Sequence, residues 1–142
     1  MELIKDKSLF QAIRAEVSGA LAIDTTSGRR KLDIQKLLSL PLLQSVYVEA
    51  LRMHVSINIT REVTQDMLLN GYSLKKGYLV QTPSLVAHFD ESIWAAHGHP
   101  ASEFWAARHI AYVEKTDETG KTVRIPEFSM AGRSGGFFPY GT

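Results

Sequence analysis

Apolar positions recur every three to four residues across residues 40–54, LPLLQSVYVEALRMH. Leu42, Leu43, Val46, Tyr47, Ala50 and Leu51 would share one face, so the spacing predicts an amphipathic helix. Pro41 sits where that helix would begin, a position that tolerates proline because the missing N–H would be unpaired there anyway. Leu9, Phe10, Ile13, Val17 and Leu21 repeat the same period and predict a helix over 8–21, with Ser8 as its N-cap. Asp33 caps a further short helix, IQKLLSL, which stops ahead of Pro41 because the residue before a proline avoids helical geometry. Residues 33–54 therefore read as helical. Residues 22–32 carry turn formers and the basic run Arg29-Arg30-Lys31, and read as a solvated loop.

After His54 the period shortens towards two. Ile57, Ile59, Val63 and Met67-Leu68-Leu69 are strand-like, and Asn70-Gly71 and Lys75-Lys76-Gly77 are turn signals. YLVQTPSLVAHF is again rich in β-formers, with Pro83 marking an edge or an interruption. Residues 57–87 thus predict a small antiparallel sheet or a pair of hairpins. Asp90 caps a short helical piece, ESIWAA. Residues 97–110 look irregular but aromatic and packed. Residues 113–136 are polar, carry Gly120, Pro126, Gly132, Gly135 and Gly136, and read as a long surface loop, part of it disordered. The fold class expected is mainly α with a small antiparallel β-sheet, α+β, in one partial domain.

Composition narrows the chemistry. The chain has 142 residues, 44% apolar and 22% charged, which is ordinary for a globular protein. Sixteen basic residues against fifteen acidic ones leave a net charge of +1, so nothing favours nucleic acid as a partner. No cysteine is present, which excludes disulfides, thiolate nucleophiles and cysteine metal ligands within these residues. No run reaches the roughly 18 apolar residues of a membrane span, and MELIKDKS has no signal-peptide core. The five histidines, His97 and His99 included, match no zinc-type spacing and read as loop residues, so no metal site is expected. Glu49 and Arg52 are neighbours on the predicted helix; alone, they would be an exposed ion pair worth a few tenths of a kcal/mol.

The order of segments changes that estimate. LPLLQSVYVEALRMH, R-E-V, NGYSLKKGYLV, HPASEFWAARHI and FFPYGT follow one another as they do in the C-terminal half of the cytochromes P-450, the haem-thiolate monooxygenases, and the chain closely resembles that family over about residues 8–142. The resemblance implies that Glu49 and Arg52 are the E-x-x-R pair, and that Arg108 is the arginine of the following meander that joins the same glutamate. It implies that Arg61 lies on a haem propionate, that Phe138 and Gly141 open the haem-binding loop, and that Val55, Ile57 and Ile59 wall the substrate pocket. Asn58 would by strand alternation face away. Haem would be the parent enzyme's cofactor, with an electron-donating reductase and a small apolar, lipid-, steroid- or terpenoid-like substrate as partners.

By the loop's spacing the axial cysteine falls four residues after Gly141, beyond Thr142, and the distal acid–alcohol helix is missing as well. Asp24-Thr25-Thr26 imitates that pair but lies too close to Glu49 and reads as a loop. The resemblance therefore implies a segment incomplete as a domain, inactive alone and without stable haem. Localisation is left open: an endoplasmic-reticulum anchor of the parent enzyme would lie in residues outside this chain. Two other readings stand beside it: a non-enzymatic interaction module docking through Phe137, Phe138 and Tyr140, or a functionless truncated product.

Overall fold

A computed structural model describes residues 5–24, 28–116, 118 and 120–140. Its organising element is α3, Pro41–His54. Before it come α1, Lys7–Ser18, the strands β1, Leu21–Ile23, and β2, Arg30–Leu32, and the one-turn helix α2, Ile34–Leu38. After it come β3, Asn58–Glu62, β4, Met67–Leu69, β5, Tyr72–Leu74, and β6, Leu79–Pro83. Two short helices follow, α4, Ser84–His88, and α5, Glu91–Trp94. The hairpin of β7, Ile110–Thr116, and β8, Thr122–Phe128, then leads to a 3₁₀ turn at Ser134–Gly136. Every strand pairing is antiparallel and two-stranded: β1 with β2, β3 with β6, β4 with β5, and β7 with β8. The mixed α and small-sheet class is the one expected.

Several boundaries differ from the sequence reading, each for a local reason. The first helix runs 7–18 rather than 8–21, and Asp6, not Ser8, caps it by accepting from the Ser8 and Leu9 N–H groups. Leu21 belongs to β1. The supposed loop 22–32 is largely a hairpin, closed in register from Leu21 opposite Leu32 to Ile23 opposite Arg30. Residues 33–54 are two helices broken at Ser39–Leu40. The β-rich stretch ends at Pro83, after which Ser84–His88 is helical. The expected surface loop 113–136 is mostly the β7–β8 hairpin, seven residue pairs long. Its strands are largely exposed on both faces, so they lack the apolar alternation that marks a half-buried strand.

The nested strands behave as their turns demand. Asn70 and Gly71 take φ of 47° and 85°, the pair of positive values that a two-residue hairpin turn needs, and this fixes β4 against β5. Pro83 pairs opposite Asn58 at the end of the β3–β6 ladder. Just beyond it, buried Ser84 clasps Ile57: its N–H donates to the Ile57 carbonyl at 2.9 Å and its hydroxyl accepts from the Ile57 N–H at 3.0 Å.

Against α3 pack α1, α4 and the β7–β8 hairpin. The helix has no side-chain cap of its own. Glu16 of α1 supplies one, accepting from the Leu42 and Leu43 N–H groups at 3.0 and 2.8 Å, where the helix dipole favours a negative charge. The buried stripe of α3 is Ser45, Val46, Glu49 and Arg52, while Tyr47, expected on the apolar face, is more than half exposed. Among the described residues the buried apolar side chains are Ala20, Val46, Val63, Trp94, Ala101 and Pro139. The buried polar ones are Ser45, Glu49, Arg52, Ser84, His88, Arg108 and His109. A centre so composed is held by its hydrogen bonds as much as by apolar burial.

Candidate functional site: a buried carboxylate between two arginines

Glu49 lies in the third turn of α3 and is fully buried. Arg52, one turn on, reaches back with both forks: Nε to Oε2 at 2.9 Å and Nη2 to Oε1 at 2.8 Å. Arg108 arrives from the turn-rich segment 97–109 and places its Nε 2.8 Å from Oε1. The Trp105 N–H donates to the same oxygen at 3.1 Å, and His109 Nε2 stands 3.3 Å from Oε2. The carboxylate is thus saturated, as a buried charge must be if it is to persist.

The arginines are equally well occupied. Arg52 Nη1 donates to the carbonyls of His88 and Ala101, both at 2.6 Å, and Nη2 approaches that of Glu103. Arg108 donates to the carbonyls of Trp94, Pro100 and Glu103. One carboxylate and two guanidiniums therefore tie α3 to the end of α4, to α5 and to the Pro100, Ala101 and Glu103 carbonyls of the 97–109 segment. A lysine could not replace either arginine, because an ammonium lacks the planar fork.

Around this cluster stand residues that the sequence reading did not single out. His109 follows Arg108 directly and donates its backbone N–H to the Ser45 hydroxyl at 3.1 Å. Trp94 is fully buried, donates Nε1–H to the Ala87 carbonyl at 2.7 Å and lies under the Arg52 guanidinium, 5.3 Å from the ring centre. His88 and His109, taken for loop histidines, are both buried. His88 Nε2 accepts from the Phe138 N–H at 3.3 Å, and its ring meets those of Phe137 and Phe138 at 5.7 and 5.6 Å. Gly136 lets the 3₁₀ turn press on α5, since a Cβ there would come within 3.0 Å of Ile93. Only the chain neighbourhood of His109 hinted at any of this. The contacts of His88 and Trp94 join segments far apart in sequence.

Burial by itself would raise the pKa of Glu49, but the hydrogen bonds from Arg52, His109 and Arg108 overcome it and hold the carboxyl well below its usual range. Burial pushes His109 down, and the neighbouring Glu49 only partly opposes it. Burial likewise lowers His88. All three groups bind protons less readily folded than unfolded, so each contributes stability that is lost as pH falls. For the histidines that loss starts near the ordinary imidazole value of about 6.5, and for Glu49 near the ordinary carboxylate value of about 4.3. Urea unfolding of the intact protein should therefore show stability falling in two stages, the first setting in as pH falls below about 6.5. His109→Gln should shallow that first stage. A flat profile from pH 7 to 5 would show that neither imidazole is held neutral.

The other predicted residues occupy one run. Val55, Ile57 and Ile59 are half-buried, alternating with exposed Ser56, Asn58 and Thr60, and the exposed Arg61 continues their parity along β3. Arg61 also donates to the Thr60 carbonyl at 3.1 Å. Phe138 is half-buried beside His88. Gly141, like Thr25 and Thr26, lies outside the described residues. No group of three or more His, Cys, Asp or Glu side chains that could hold a metal ion occurs among the described residues.

A family model described as Cytochrome P450 matches residues 1–98, more than half of the chain. The chain belongs to the cytochrome P450 family. It is similar over 99% of its length to the cytochrome P450 monooxygenase calL of Penicillium decumbens, at 51% identity. The P450 monooxygenases efuG of Hormonema carpetanum and fsoE of Humicola fuscoatra match the same share at 30% and 28%. The chain spans about a quarter of the length of these curated relatives, between 25% and 28%.

The P450 family implies haem, and the residues present suit its rim rather than its iron. An apolar strip ending in a cation, Val55 to Arg61, has the chemistry to meet a macrocycle edge and its carboxylates. No anionic sulfur donor occurs in these 142 residues. No helix of the described residues is long and apolar enough to cross a membrane.

Proposed function

We propose that these residues form the clamp and haem rim of a P450 monooxygenase that, in its complete form, hydroxylates an apolar substrate with dioxygen and electrons from a reductase. The observation that carries this reading is the saturated Glu49 carboxylate shared by Arg52 and Arg108. Its role is architectural. Both arginines are consumed by carbonyls and the carboxylate cannot take a proton near neutrality, so the cluster does no acid–base work. It fixes the exit of α3, from which Val55, Ile57, Ile59 and Arg61 project. Through the His88 and Ala101 carbonyls it also holds the seat of Phe137 and Phe138.

In this role Val55, Ile57 and Ile59 exclude water from an apolar substrate, and Arg61 binds a propionate through charge-assisted hydrogen bonds. Phe138 packs on the proximal side. Haem, when bound, supplies the activation of dioxygen. The 142 residues by themselves offer thioethers and imidazoles but no thiolate, so the segment alone is not catalytic.

Added haem and carbon monoxide test this directly. The 142-residue chain should give a free-haem or histidine-like spectrum and no turnover with a reductase. A thiolate-type band from the same chain would overturn the placement of the iron ligand. The complete enzyme carrying Arg61→Ala should lose haem more readily than its parent; unchanged retention would remove Arg61 from the rim.

A further inference from the structure

Beside the Glu49 cluster lies an open pocket of about 360 Å³, lined in part by Arg108, His109, Tyr112, Arg124, Ser129 and Arg133. Its charges do not balance. Arg52 and Arg108 pair with Glu49, and Arg133, hydrogen-bonded to the Arg108 carbonyl, brings a third guanidinium beside this one buried carboxylate. The carbonyls around Arg52 and Arg108 occupy their donors without cancelling their charge.

Arg133 is partly buried, and among the described residues its guanidinium makes one hydrogen bond, from Nη1 to the Arg108 carbonyl at 2.9 Å. Among the described residues no carboxylate lies within ion-pair distance of it. Arg124 lies over the Tyr112 ring, 5.6 Å from its centre. It stands opposite Glu114 in the β7–β8 register yet forms no ion pair with it among the described residues. The acid on β8, Glu127, is taken by Lys115 at 2.6 Å. His109 is buried against the same pocket, and its Nδ1 has no partner among the described residues.

We propose that this pocket is a binding site for a small oxyanion, phosphate or carboxylate, gripped by the spare donors of Arg124 and Arg133 with the Ser129 hydroxyl beside them. A planar guanidinium meets two oxygens of such an anion at once, which a halide cannot exploit. The bound anion would supply the negative charge that the three guanidiniums lack and would pin the hairpin to the 129–133 turn. Binding to the folded state alone also raises the unfolding temperature.

The test is calorimetric and thermal titration of the intact protein with inorganic phosphate and, separately, succinate, against sodium chloride at matched ionic strength. Saturable one-to-one binding of either oxyanion, with a rise in Tm that chloride does not reproduce, is the expected result; which of the two saturates first identifies the source. Arg124→Gln removes one charge-assisted fork and should weaken binding by about tenfold or more. That side chain is exposed on the hairpin and outside the Glu49 cluster, so the variant keeps its fold. Arg133→Gln should weaken binding likewise. Binding no better than chloride, or affinity unchanged in both variants, would overturn the site.

Discussion

Glu49→Ala is expected to destabilise the fold by about 3–5 kcal/mol, the cost of leaving buried charges without their counter-ion. The change strands Arg52 and Arg108 in a region where both are all but inaccessible to water, and it removes the acceptor of the Trp105 N–H. Denaturant midpoints at unchanged m-value would measure it. A loss below about 1 kcal/mol would place Glu49 among exposed ion pairs instead. Arg108→Lys should also be damaging, since one ammonium cannot serve Glu49 Oε1 together with the Trp94, Pro100 and Glu103 carbonyls. If Arg108→Lys were neutral while Glu49→Ala was severe, charge rather than fork geometry would be what the cluster requires.

Trp94→Ala is expected to cost a similar amount, about 3–5 kcal/mol, for a different reason. The indole is the largest fully buried side chain among the described residues, and it fills the space between Arg52, His109 and Phe137. Its removal opens a cavity beside two charged groups and leaves the Ala87 carbonyl with the longer hydrogen bond from the Asp90 N–H at 3.3 Å. Trp94→Phe separates the two effects: it keeps a ring in place and loses the N–H, so it should cost about 1–3 kcal/mol. The same variant reports on function. Because Phe137 and Gly136 rest on Trp94, Trp94→Ala in the complete enzyme should loosen the segment proposed to open the haem loop and lower haem retention. Retention equal to the parent's would show that His88 alone seats the loop.

The long helix was legible in the sequence because period 3.6 and a first-turn proline are local signals. So was the Asn70-Gly71 turn, which needs only two residues of unusual φ. The order of five short segments pointed to the family, and with it to the partnership of Glu49, Arg52 and Arg108, which spacing by itself does not imply. The β1–β2 and β7–β8 hairpins were not legible. Their stability comes from cross-strand bonds between exposed residues, and exposed strands need no alternation of apolar and polar positions.

What the sequence by itself determined is therefore the α-helices other than Ser84–His88, to within a few residues at their ends, and the strand-rich stretch up to Pro83, while its resemblance to a family added which acid the two arginines share. What the tertiary structure decided is how that acid survives burial. The Trp105 N–H, the His109 imidazole and the carbonyls of residues 88, 94, 100, 101 and 103 come together only after the chain has turned several times. The capping of α3 by Glu16 and the excess of guanidinium charge around Arg133 belong to the same class. Desolvation and charge balance depend on every neighbour within a few ångströms, and those neighbours are distant in sequence, so no local pattern encodes them.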